Sequence, residues 1–139
     1  MKLPVKSDYA CRAVEALARH HPDHRPLRID DIARAGSIPA NYLVQILNEL
    51  KSKGLIQSRR GKAGGYNLAR PPAEITVGDV LRAIHGEIVE LSVLAGSASP
   101  LEIQRIWERV KRSMETVVDG ITFEQLCAEA RRTPQMYYI

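Results

Sequence analysis

The chain has 139 residues, of which 45% are hydrophobic and 26% charged, and carries a formal net charge of +4. These values describe one soluble globular domain with a modest core. No apolar run reaches the roughly 18 residues of a membrane span, and Met1–Lys6 has no stretch of signal-peptide length, so the expected location is the cytoplasm. The positive balance permits a polyanionic partner without demanding one.

In chain order, Ser7 suits an N-cap and Asp8 the first turn of a helix. Ala10, Ala13, Val14, Leu17 and Ala18 then recur at helical spacing, and this helix is expected to stop before Pro22. His20 to Pro26 reads as a loop; its histidines and Asp23 make a solvated stretch rather than a metal site. Leu27 to Ile29 reads as a short extended piece. Ile29, Ile32 and Ala33 open a second short helix that Gly36 ends. A tight turn, Gly36-Ser37-Ile38-Pro39, leads to a third helix over 40–53. Leu43, Ile46, Leu47 and Leu50 share its buried face, and Asn41, Gln45 and Asn48 its other face.

Two short strands are predicted next, Leu55–Ser58 and Tyr66–Ala69, joined by the basic, glycine-rich loop Arg59-Arg60-Gly61-Lys62-Ala63-Gly64-Gly65. After Pro71-Pro72, Thr76 and Asp79 have capping-box spacing for a fourth helix lined by Val77, Val80, Leu81 and Ile84. Glu87 to Ser97 is an apolar, poorly patterned connection. Ser99-Pro100-Leu101-Glu102 then reads as a capping box with proline at the first helical position. The long helix it opens runs to about Asp119. Ile103, Trp107, Val110, Met114 and Val117 alternate at spacings of four and three along it, a coiled-coil-like seam. Thr122 and Gln125 cap a short last helix around Leu126.

Residues 29–69 thus read as helix, tight turn, helix, hairpin. Amide side chains on an exposed helix can read adenine edges in a major groove. Arginine at a glycine-rich tip can neutralise phosphate or enter a narrow minor groove. Together they point to duplex DNA as the partner. No nucleophile–base pair, phosphate loop or metal-ligand spacing is present, so an enzyme is not expected. Gly61 to Gly65 lacks the Lys-Ser/Thr and the helix that a phosphate loop requires.

The opening Met1-Lys2-Leu3, Lys6-Ser7-Asp8-Tyr9-Ala10, the stretch Ile38-Pro39-Ala40-Asn41-Tyr42-Leu43-Val44-Gln45-Ile46-Leu47, and above all Arg60-Gly61-Lys62-Ala63-Gly64-Gly65-Tyr66-Asn67-Leu68-Ala69 resemble the IscR-like winged-helix regulators, the Rrf-two family. The likeness is close to about residue 86 and weaker through Trp107 and Ile121-Thr122. It implies a mainly α fold with a small β-hairpin wing: a winged helix-turn-helix over 1–86, a linker over 87–99, and a dimerisation helix with a C-terminal helix over 100–139. It also implies a sequence-specific homodimer that regulates transcription, with repression expected from promoter occupancy.

On this resemblance Asn41, Tyr42 and Gln45 fall at base- and backbone-reading positions, and Arg60-Gly61 at the minor-groove wing tip. Arg59 and Lys62 suit phosphates. Tyr42 reads equally as half core, and Tyr9 as core or phosphate contact. Ile103, Trp107, Val110, Met114 and Val117 become the dimer seam. Many relatives hold an iron–sulfur cluster on three cysteines before the long helix, but here no cysteine lies between Glu87 and Ile106. No cluster, metal or other cofactor is therefore expected. Cys11 and Cys127 read as packed thiols. Constitutive binding, a small molecule near residues 88–106, or a partner protein remain open as modes of control. The rival reading is a winged-helix module that docks protein.

Overall fold

The computed structural model describes residues 2–23, 25–89 and 98–132. Among them run α1 (Val5–Arg19), α2 (Ile29–Gly36), α3 (Ala40–Ser52), β1 (Ile56–Arg59), β2 (Gly65–Leu68), α4 (Val77–His85), α5 (Leu101–Asp119) and α6 (Phe123–Arg132). The fold is mainly helical with one two-stranded antiparallel sheet, as expected. Most of the 87–99 connection, together with His24, lies outside the described residues.

Helix α1 is the hub, because α2, α3, α4 and α6 all pack on it. Alanine favours the helix without filling space, and Ala10, Ala13, Val14 and Leu17 form its buried face. Ser7 is not its N-cap. The chain turns helical after Pro4, whose φ of −61° and ψ of 137° are extended. The Ser7 amide already donates to the Pro4 carbonyl at 3.0 Å, so the residue sits inside the first turn. Its buried hydroxyl instead hydrogen-bonds Nε2 of His85, at the end of α4. The serine is an inter-helix tie.

The turn between α2 and α3 also differs in detail. Gly36 is the last helical residue, and Ser37 takes the left-handed conformation (φ 52°, ψ 50°). Glycine is needed at 36 for room: a Cβ there would stand 2.8 Å from Cδ1 of buried Ile38 and 3.3 Å from Cβ of Arg12. The strands lie one residue from the predicted bounds. Ile56 pairs with Leu68 and Arg59 with Gly65. Leu55 precedes the sheet because its amide closes back on the Leu50 carbonyl at the end of α3.

Two of the three expected capping boxes form. In α4 the Thr76 amide donates to Asp79 at 2.9 Å and the Asp79 amide to Thr76 Oγ1 at 3.1 Å. In α6 Thr122 and Gln125 do the same at 2.9 and 3.2 Å. The box at Ser99 does not form. Pro100 (φ −58°, ψ 150°) occupies the N-cap position of α5, which displaces Ser99 one residue from where its hydroxyl would cap. Backbone bonds from Val77 to Ile121 and from Phe123 to Ile75 dock α6, and Phe123 enters the common core.

Charged pairs tie α5 to α4 and to the segment that follows it. The Arg82 guanidinium grips the Asp119 carboxylate in a bidentate pair, both contacts at 2.7 Å. Lys111 reaches Glu87 at 3.7 Å. The hydrogen bonds from Arg82 hold the Asp119 carboxyl below its ordinary value of 3.8. Such a group stabilises the fold above its unfolded pKa and loses that effect as pH falls through the folded one. The pair is largely solvated, so Asp119→Asn is expected to lower stability by less than about 1 kcal/mol at pH 7. Urea midpoints of the two proteins should differ at pH 7 and converge below pH 3.8.

Candidate nucleic-acid interface

Helix α3 is amphipathic, and its burial fixes its azimuth. Leu43, Ile46, Leu47 and Leu50 are fully enclosed. At 3.6 residues per turn, Asn41, Gln45 and Asn48 must then point outward. All three are exposed, and neither Asn41 nor Asn48 makes a side-chain hydrogen bond among the described residues. Gln45 Nε2 donates weakly to Glu49 Oε1 at 3.4 Å, which leaves its carbonyl oxygen and a second N–H for other partners.

Side chains of α1 peg this helix in place. Lys6 Nζ meets Glu49 Oε1 at 2.8 Å. Arg12 Nη1 donates to the Gly36 and Ser37 carbonyls at 3.3 and 3.4 Å, which bridges α1 to the turn before α3. Tyr42 is 40% exposed, and its ring leans on Tyr9 with centroids 5.4 Å apart and planes tilted by 59°. The Arg12 guanidinium lies 5.4 Å from the Tyr9 centroid. Tyr9 is thus half-buried against the core, and Tyr42 is half supported by packing and half open.

The hairpin carries its cations outward. Arg59 ends β1, and Arg60, Gly61 and Lys62 form the exposed tip. Arg59, Arg60 and Lys62 enter no ion pair among the described residues. Gly61 has φ 104°, a conformation that side-chain-bearing residues rarely take. Gly65 has φ 146°, and a Cβ there would stand 2.4 Å from the Leu27 carbonyl oxygen. That approach lets Leu27 and Tyr66 exchange backbone bonds at 2.9 and 2.8 Å, so the piece before α2 braces the hairpin. The structure therefore gathers Asn41, Tyr42 and Gln45 on one helix and Arg59 to Lys62 on one loop. Sequence reasoning passed over Val44, which is 50% exposed on the same outer face of α3. Its place three residues after Asn41 was the available signal.

Helix α5 presents a second unusual surface: it has no buried residue. Ile103, Ile106, Trp107, Val110 and Val117 are all exposed, while Met114 is half-buried. Of these, Ile106 was absent from the predicted seam.

A helix-turn-helix followed by a braced basic hairpin, with exposed amides on the second helix, is the architecture of a winged-helix DNA-binding transcription regulator. The chain belongs to the Rrf2 family, described as iron-dependent transcriptional regulators, which it matches over residues 3–129. It is 31% identical to the HTH-type transcriptional regulator CymR of Bacillus subtilis, over the full length of both chains. The solved structure of B. subtilis CymR, the global cysteine regulator of that organism, superposes with a TM-score of 0.82 at 30% identity, covering 93% of this chain and 98% of the other. IscR of T. potens superposes with a TM-score of 0.77 at 33% identity, covering 100% and 94%. These relatives are transcription regulators and not enzymes. No helix among the described residues is long and apolar enough to cross a membrane.

The family's description implies iron, and the donor set here does not fit an iron–sulfur cluster. Thiolates are the usual ligands, and Cys11 and Cys127 are the only cysteines in the chain. Both serve packing: Cys11 lies half-buried on α1 and Cys127 is buried on α6. Burial pushes the Cys11 thiol up to about 11, with Asp8 and Glu15 adding to the shift. Burial raises Cys127 as well. Because the thiolate is the reactive form, iodoacetamide at pH 7.5 should label the native protein slowly and both thiols readily in urea. Mass spectrometry reads the difference; rapid native labelling of Cys11 would contradict its packed, protonated state.

Proposed function

We propose that this regulator binds duplex DNA as a homodimer and represses transcription in the cytoplasm by occupying its operator. Helix α3 enters the major groove, and the wing tip enters the adjacent minor groove. Asn41, Tyr42 and Gln45 meet bases and backbone, Arg60-Gly61 reaches the minor groove, and Arg59 and Lys62 meet phosphates. Residues 1–86 form the DNA-binding part, 87–99 the linker, and 100–139 the part that carries the dimer helix. The observation that carries this reading is the presence of two open surfaces: exposed amides on α3, and wing-tip cations that enter no ion pair among the described residues.

A minor-groove arginine makes a contact of groove-reading strength. Arg60→Ala is expected to weaken specific binding by about 1–3 kcal/mol and to flatten the salt dependence by about one unit of log K against log salt. Titration of a selected duplex at several salt concentrations measures both. Unchanged affinity would overturn the wing assignment, and binding insensitive to salt would favour a protein partner instead.

Self-association rests on α5. A free helix is marginal in water, and Ile103, Trp107, Val110, Met114 and Val117 line the seam that a second copy would cover. A charge in its middle should be intolerable there and harmless to the monomer, since Val110 already contacts solvent. Val110→Glu is expected to sediment as a folded monomer and to lose roughly a hundredfold in affinity for a palindrome, because the second half-site no longer adds avidity. A dimeric Val110→Glu protein would remove this seam from the interface.

A further inference from the structure

Val44 has no structural reason to be where it is. It stands on the outer face of α3, 50% exposed, away from the core that Leu43 and Leu47 enter. A β-branched side chain there lowers helix propensity and leaves half of its surface uncovered among the described residues. Its neighbours on that face are Asn41, Gln45 and Asn48, which lie at i−3, i+1 and i+4. This central strip therefore holds three amides and one isopropyl group, with no arginine, lysine or carboxylate. Glu49 lies to one side of it, and Lys51, seven residues after Val44, continues Val44's own line at the last turn of the helix, beyond the N-terminal residues that a recognition helix turns to base edges.

That composition matches one kind of base pair. In the major groove an A·T pair offers an acceptor and a donor on adenine, which an amide can satisfy together, and the 5-methyl group of thymine beside them. Guanine is best met by arginine or lysine and the cytosine amine by a carboxylate, and the strip has neither. We infer that Val44 is a specificity residue whose side chain packs on a thymine methyl, so that α3 selects A·T pairs at the centre of each half-site. The inference rests on α3 being the recognition helix and adds what that helix reads.

The test removes the methyl and nothing else. The full-length protein first selects duplexes from a random pool. The selected half-site is then made with deoxyuridine in place of thymidine, one position at a time. A·T pairs should dominate the selected positions facing α3. Deoxyuridine at one or two of them should weaken wild-type binding about threefold to fivefold, the effect of exposing one methyl-sized group. Val44→Ala should bind the thymidine duplex more weakly and show no response to the same replacements.

If wild type tolerates every replacement while Asn41→Ala still weakens binding, α3 reads DNA but Val44 does not read a methyl, and the inference fails alone. Val44→Ala retaining full sensitivity to deoxyuridine would also overturn it, since another residue would hold the methyl. If Asn41→Ala and Gln45→Ala bind like wild type, the assignment of α3 fails and takes this inference with it.

Discussion

The architecture depends on the burial of one face of α3 against α1. Leu43, Ile46, Leu47 and Leu50 are each fully enclosed, and a side chain of this size contributes about 1.5–3 kcal/mol on leaving water. Rotating α3 by one residue would pull these groups into solvent and push amides into the core, where they lack partners. The azimuth of the helix is therefore a consequence of the core. Lys6 on Glu49 and Arg12 on the carbonyls of the preceding turn refine it from the hub helix. What faces outward, Asn41, Val44, Gln45 and Asn48, is fixed by what faces in.

The wing obeys a different constraint. A two-stranded hairpin is marginal in water by itself. Here Ile56 and Leu68 anchor its base in the common core, and the Leu27–Tyr66 bridge adds a third stretch of backbone. The tip receives none of this support. Its cations thus sit at the end of a braced arm with no ion-pair partner among the described residues, so an anion can meet them without first breaking such a pair. A braced base and an exposed basic tip are what the proposed groove-following wing would need.

Most of this could be read from the chain because it lies in periodicity and local chemistry. The α3 stripe, the Thr76–Asp79 and Thr122–Gln125 boxes and the glycine-rich wing all announce themselves within a few residues. The misreadings share a cause: the deciding partner is distant in sequence, or a proline moves the boundary. Ser7 looked like a cap because its partner, His85, is 78 positions away. Ser99 fitted a capping box by spacing, yet Pro100 took the cap position. Gly36 looked like a left-handed stop, whereas its lack of a Cβ makes room for Ile38 and leaves the left-handed turn to Ser37. Val44 was overlooked because the outer face was searched for hydrogen-bonding side chains, although its place three residues after Asn41 puts it there.

The long helix α5 gives these local facts a collective consequence. None of its residues is fully buried among the described residues, and a bidentate Arg82–Asp119 pair ties it to α4. Helix α4, which carries Arg82, is fastened in turn to α1 through His85 and Ser7, and α1 holds α3. A chain of contacts thus links α5 to α3 through α4 and α1, and α4 also touches α3 directly. In the proposed dimer the same route runs twice, once in each copy, and together they set the distance between two recognition helices that must match two half-sites one helical turn apart. With two packed cysteines and no cluster-forming set in the chain, a thiolate-held iron–sulfur cluster does not fit as the means of control.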